Sequence, residues 1–398
     1  MKRLTLLLLG LALGVSATAN AQGLTMQMSN GWAFTFAGNV NVFWSFTKEN
    51  TNAGDAANSN IRTGLLPTFA TFEAKGKEAG LTLGIHFGFA PQIQNVGNLH
   101  DEFTEFSRID MRQVYLTVGF KDGSQILAGR ELGLFERQAI LNDMTLFGVG
   151  AVGLGFGQGG GTTLGRIGFG YLYPNFNAQV TYSTKPGQAQ LSVGIFQPSN
   201  LGGPPATYAF TTIPRVEAEF TYNQKSGKNN YMVWVGGLWQ TTKNAPTGGT
   251  SITSFGGNAG VKGSFSDLTV VVTGYIGKAL GTTLMFSGDE IAADGTTGRP
   301  STGGYVQLMY KVGPKTNVGA SWGFSRLKDD QTGDGDADVR SNMYAYTVGI
   351  YHQWTKSLKL VFEGTQEGTT GESAGPFFSG FAPGSKQTDV SAGLMLFF

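Results

Sequence analysis

The alternation of apolar and polar residues organises this chain. In residues 31–47 (GWAFTFAGNVNVFWSFT), Trp32, Phe34, Phe36, Val40, Val42, Trp44 and Phe46 share one parity. Thr35, Asn39, Asn41 and Ser45 hold the other. A strand projects successive side chains to opposite faces, so the pattern predicts a strand with one apolar and one wet face. Aromatics at both ends of the apolar face, with valines between, match a lipid-facing band flanked by two girdles. The pattern recurs near 61–75, 81–90, 108–120, 125–130, 176–183, 189–197, 213–223 and 230–241. It continues near 255–265, 268–279, 300–311, 316–327, 340–354, 358–366 and 387–398. Connections alternate between short turns, such as Lys121–Ser124 and Ser266–Asp267, and long loops such as 242–254 and 280–299. The polar stretch Lys48–Asn60 is expected to be the first loop. About sixteen strands, with short turns on one rim and long loops on the other, predict an all-β, transmembrane, antiparallel up-and-down barrel.

The N-terminus puts this barrel outside the cytoplasm. Lys2 and Arg3 precede an apolar run from Leu4 to Val15, and Ala19-Asn20-Ala21 follows. That order predicts a signal peptide over residues 1–21, cleaved after Ala21, and a single barrel domain over 22–398. The run is too short for a spanning helix. There is no cysteine, so an exported chain must be held by another device, and a fully hydrogen-bonded barrel suffices. Mean hydropathy of −0.07 is what a barrel requires, because each lipid-facing residue is matched by a lumen-facing one. A net charge of +1 gives no electrostatic case for nucleic acid.

Two stretches carry a resemblance. The last residues, QTDVSAGLMLFF, place Val390, Ala392, Leu394, Leu396 and Phe398 on one face, with Phe397 the large exception on the other. A final strand of this kind ending in Phe resembles the closing strand of Gram-negative outer-membrane proteins, in which the terminal Phe helps signal insertion. RQVYLTVGFKDGSQILAGRELG resembles the strand, turn, strand and Gly-Arg that precede the third extracellular loop of general porins. FNAQVTYSTKPG is similar to the strand and turn that follow it. Between them lies 131–175, far above the ~15 residues usual for a connection. It is rich in glycine and carries Leu134, Phe135, Ile140, Leu141, Met144, Leu146, Phe147 and Val149, so it needs somewhere to bury itself. The resemblance implies a third loop folded into the lumen, a homotrimer in outer-membrane lipid, and passive passage of small hydrophilic solutes and ions. The Pro-Glu-Phe-Gly-Gly motif of the enterobacterial loop is absent, which leaves the shape of any constriction open. By position alone, residues 91–107 correspond to the second loop that latches onto a neighbouring subunit.

Charged side chains in a narrow pore filter solutes by sign. On the loop the candidates are Glu131, Glu136 and Asp143. On the wall, parity points Arg112, Arg130 and Arg215 inward, with Glu217 and Glu219 beside Arg215. Arg62, Lys75, Arg108, Lys262 and Lys359 are further candidates. An acidic loop opposite a basic wall is the expected field. In strand 108–120, Arg108, Asp110 and Arg112 share a parity with Val114 and Leu116, which calls for a bulge. A ladder of arginines would equally suit a channel specific for small carboxylates. The acidic stretch 329–338 has calcium-loop spacing without the closing Glu. A hydrolase would need a histidine with serine and acid partners. His86, His100 and His352 have none in the sequence pattern, so no enzyme and no cofactor is expected. A soluble adhesin conflicts with the outward aromatics and the terminal Phe.

Overall fold

The computed structural model describes residues 23–51, 54–94, 109–153, 161–202, 207–286, 290–292, 294–328, 339–370 and 384–398. The predicted signal peptide, the acidic stretch 329–338, Arg108 and nearly all of 91–107 lie outside them.

Among the described residues, eighteen hydrogen-bonded segments form one antiparallel sheet. They fill sixteen positions of a closed barrel. The difference lies at the seam. β1 (Leu24–Gln27) pairs with the lower half of β2 (Ala33–Thr51), in line with the end of β18 (Lys386–Phe397) on the upper half. On the other side of β2, β3 (Gly54–Arg62) takes the upper half and β4 (Phe69–Glu78) the lower. The chain turns inward between them, where Asn41 Nδ2 donates to Leu66 O at 2.9 Å and Asn41 Oδ1 accepts from the Gly64 N–H at 2.9 Å. Pro67 cannot donate to a ladder, which favours the break here. Lys48–Thr51 and Gly54–Asn60 are therefore strand, not loop, and the strand read over 61–75 is split. The sequence pattern misled because strand ends beyond a membrane have water on both faces and need no alternation.

From β5 (Leu81–Pro91) the meander is regular. It runs through β6 (Ile109–Gly119), β7 (Gln125–Leu132), β8 (Phe176–Ser183), β9 (Ala189–Phe196), β10 (Arg215–Ser226), β11 (Asn229–Lys243) and β12 (Ser251–Phe265). It ends with β13 (Leu268–Lys278), β14 (Pro300–Gly313), β15 (Thr316–Lys328), β16 (Val339–Gln353), β17 (Leu358–Thr370) and β18. The β4–β5 turn shows how a rim closes: Ala79 and Gly80 have φ of 49° and 82°, the left-handed pair that a two-residue hairpin matching strand twist uses. Val40, Val42, Trp44 and Phe46 are exposed outward, while Asn39, Asn41, Ser45 and Thr47 are buried on the lumen side. Phe398 closes the seam: its N–H donates to Gly38 O and its O accepts from the Gly38 N–H, both at 3.0 Å. Its ring lies 5.1 Å from that of Phe36, which stacks on Phe72 at 5.0 Å.

Candidate functional site

The lumen is occupied by the connection between β7 and β8. Its neck is a backbone bond from the Gly133 N–H to Asn175 O at 2.9 Å. Beyond it the chain forms α1 (Arg137–Asn142) and a 3-10 turn over Met144–Phe147. Leu134, Phe135, Ile140, Leu141, Met144, Leu146 and Val149 are all buried. From Ile140 to Val149 their seat is a set of apolar residues on the lumen parity of the wall, Phe43, Trp234, Val271, Val361 and Met395, while Phe135 packs with Leu238 and Tyr275.

Wall carboxylates clamp the segment by its backbone. Glu217 Oε2 accepts from the Leu134 and Phe135 N–H groups at 2.7 and 3.0 Å. Glu363 Oε2 accepts from Val149 and Gly150 at 2.7 and 2.8 Å. Glu367 Oε1 accepts from Gly153 at 3.0 Å. Consecutive N–H groups converging on one anion form a strong, directional anchor. Amides and hydroxyls add to it. Gln307 accepts from the Met144 N–H at 2.7 Å and donates to Asn142 O at 3.0 Å, and the Tyr305 hydroxyl donates to Ala139 O at 2.8 Å. From the segment itself, Arg137 pairs with Glu219, and Arg166 donates to Ser321 O and Ala345 O at 2.7 and 3.0 Å. The contacts run from β10 round to β17, across the barrel's width.

The predicted charges divide. Arg215 is buried, 2.9 Å from Glu217, and lies over the rings of Phe196 and Phe286. Glu131 accepts from Gln113 Nε2 at 2.8 Å. Asp143 caps the 3-10 turn through the Thr145 N–H at 2.9 Å and accepts from the Tyr171 hydroxyl at 2.9 Å. Glu136 is fully buried with neither carboxylate oxygen hydrogen-bonded. At the backbone clamp itself the wall supplies carboxylates and the loop supplies N–H groups and arginines. Arg130 corrects the parity reading. It pairs with Val114 and Ala178 in the outward row of Ile126 and Ala128, and it is exposed two residues from the end of β7. There its long stem can lift the guanidinium toward water. Arg112 does face inward, because the anticipated bulge exists: Met111 pairs with Phe89 and Gln113 with Gly88, leaving Arg112 extra. Of the further candidates, Lys75 pairs with Glu73 at 2.7 Å, Lys262 donates to Asn142 Oδ1 at 3.0 Å, and Lys359 sits 4.0 Å over the Phe147 ring. Arg62 donates to Gly161 O at 3.2 Å. Glu363, Glu367, Arg137 and Arg166 were missed. Alternation through Leu358, Leu360 and Phe362 already turned Glu363 and Glu367 inward.

Residues 5–371 match the family described as Gram-negative porin. The chain belongs to that family. No curated protein sequence matches this porin. Solved structures share its fold at low identity. The outer-membrane channel DcaP of Acinetobacter baumannii is 15% identical, with 94% of this chain and 99% of that one covered and a TM-score of 0.64. An anion-selective porin from Comamonas acidovorans is 14% identical over 92% and 100%, with a TM-score of 0.63. OmpT of Vibrio cholerae in a trimer form is 14% identical over 92% and 100%, with a TM-score of 0.53. Family and fold put this porin in the outer membrane.

Glu136 yields a pH prediction. Burial alone pushes its carboxyl well above the ordinary carboxylate range. The unfolded loop ionises near pH ~4.3, so above that the folded loop loses stability until its own higher pKa is passed. Below it both states are protonated and nothing is lost. Glu136→Gln should therefore leave loop resistance to protease unchanged at acid pH and raise it at neutral pH. Parallel curves for the two proteins would refute this.

Proposed function

We propose that this porin is a passive diffusion channel for small hydrophilic solutes and ions, with the 131–175 segment as its constriction. The observation that carries this is the clamp: a loop fastened across the lumen by Glu217, Glu363 and Glu367 leaves only the space beside it for solutes. Size is set by the loop's bulk, and sign selection by whichever charges remain wet at its edge. Export with removal of residues 1–21, leaving 22–398, and assembly as a homotrimer complete the reading. The V. cholerae structure in a trimer form supports the assembly. A channel is favoured over an enzyme. The match to the Gram-negative porin family over most of the chain supports this.

The folded protein should give steady single-channel steps in planar bilayers with KCl on both sides. Silence from protein shown to be folded and inserted would remove the channel reading.

A further inference from the structure

We propose that the mouth of the constriction holds a binding site for amphiphilic monocarboxylates, with an apolar body of about one aromatic ring. It rests on the channel reading and names a solute class for it. A cavity of about 280 Å³ lies between the inward turn after β3, the loop and the first residues of β6 and β8. Leu65, Leu66, Phe69, Leu132, Leu141 and Leu146 line it. Packed protein keeps few voids larger than a water molecule, and water does not fill a greasy one. An apolar cavity of roughly 150 Å³ takes one benzene, so this one takes a ring and a short linker.

Its polar lining is Arg112, Gln113, Tyr173, Thr162 and Thr163, with the Gln113 amide already donating to Glu131 at 2.8 Å. The extra residue in β6 puts Arg112 there, and bulges commonly re-aim a side chain in this way. Its Nε donates to Asp110 at 2.7 Å and its Nη1 to the Tyr173 hydroxyl at 3.2 Å. The guanidinium lies 5.8 Å from the Phe176 ring centroid. Those bonds engage two of five N–H donors and hold the planar fork in place, and a fixed fork suits a carboxylate. Asp110 is half exposed, so water screens its competition. A greasy body and one fixed cation at its edge together select an acid with an apolar tail over a sugar or a short-chain acid.

The test compares 3-phenylpropanoate, propanoate and 3-phenylpropan-1-ol. In planar bilayers, 3-phenylpropanoate should interrupt the KCl current at concentrations about tenfold or more below propanoate, because only the former buries a ring. Arg112→Gln should raise its half-blocking concentration about tenfold and leave that of the alcohol in place, since only the acid uses the charge. Equal potency of the two acids, or equal shifts for acid and alcohol, would overturn the proposal. Calorimetry on protein in lipid nanodiscs, free of detergent that would fill the cavity, reads the same ranking without a current. A silent channel that still binds 3-phenylpropanoate over propanoate sinks the channel reading and keeps the site. A conducting channel with no such preference does the reverse.

Discussion

Excising residues 134–174 and closing β7 to β8 with an Asn-Gly turn should raise single-channel conductance severalfold. The strands remain paired up to Leu132 and Phe176, with the Gly133–Asn175 bond above them, so a two-residue hairpin can join them without strain. A sixteen-stranded barrel without a plug leaves an aqueous channel. In the proposed reading it is the loop that narrows this one. The ladder that closes the barrel, from β18 onto β2, involves no loop residue and should survive. The cost falls on the seat. Trp234, Val271, Val361 and Met395 lose their cover, at roughly 1.5–3 kcal/mol for each large side chain newly exposed. Glu217 and Glu363 lose their N–H partners but gain water, which satisfies an acceptor nearly as well. The expected result is a folded, less stable, wider channel. Single-channel recording in KCl checks it, and an unchanged step size would mean that the loop does not limit the current.

The barrel was legible because alternation over residues 31–47 and 387–398 reports an environment, lipid on one side and water on the other, that few folds offer. The loop's inward course was legible from its own apolar residues together with the resemblance. Where it docks was not. Parity says that Glu363 faces the lumen, but only the shear between strands decides that it meets Val149 and Gly150. Exceptions to alternation did carry that information. Phe397, the one large residue out of step in the last strand, has its ring 6.1 Å from that of Phe147, with Lys359 over both. Phe43 and Trp234 break their strands' wet faces for the same reason, since each belongs to the seat. Arg130 failed the opposite way. A charge was assumed to avoid the outer face, yet near a rim a long side chain reaches water from either face.

Glu363→Ala should release the loop's second half, while Glu363→Gln should leave it almost as held. The carboxylate accepts the Val149 and Gly150 N–H groups on one oxygen and the Tyr351 hydroxyl on the other. The close approach depends on Gly148, where an added Cβ would fall 2.0 Å from Glu363 Oε1. Alanine removes every acceptor at once and leaves three buried donors unpaired, at about 1–3 kcal/mol each before water enters the gap. Loop anchoring should weaken by on the order of 3 kcal/mol, enough to populate a detached state. Glutamine keeps one oxygen for the paired N–H groups, and the Tyr351 hydroxyl can rotate; what is lost is the charge alone. Limited proteolysis of the inserted protein should therefore cut the alanine variant within 148–165 and spare the glutamine variant. Single-channel traces should show added open-state noise only for alanine. The barrel itself should keep its resistance to unfolding, because the ladders on both sides of β17 do not pass through this side chain. If the alanine variant is as quiet and as protease-resistant as the parent, the clamp is incidental, and packing on the apolar seat alone holds the loop.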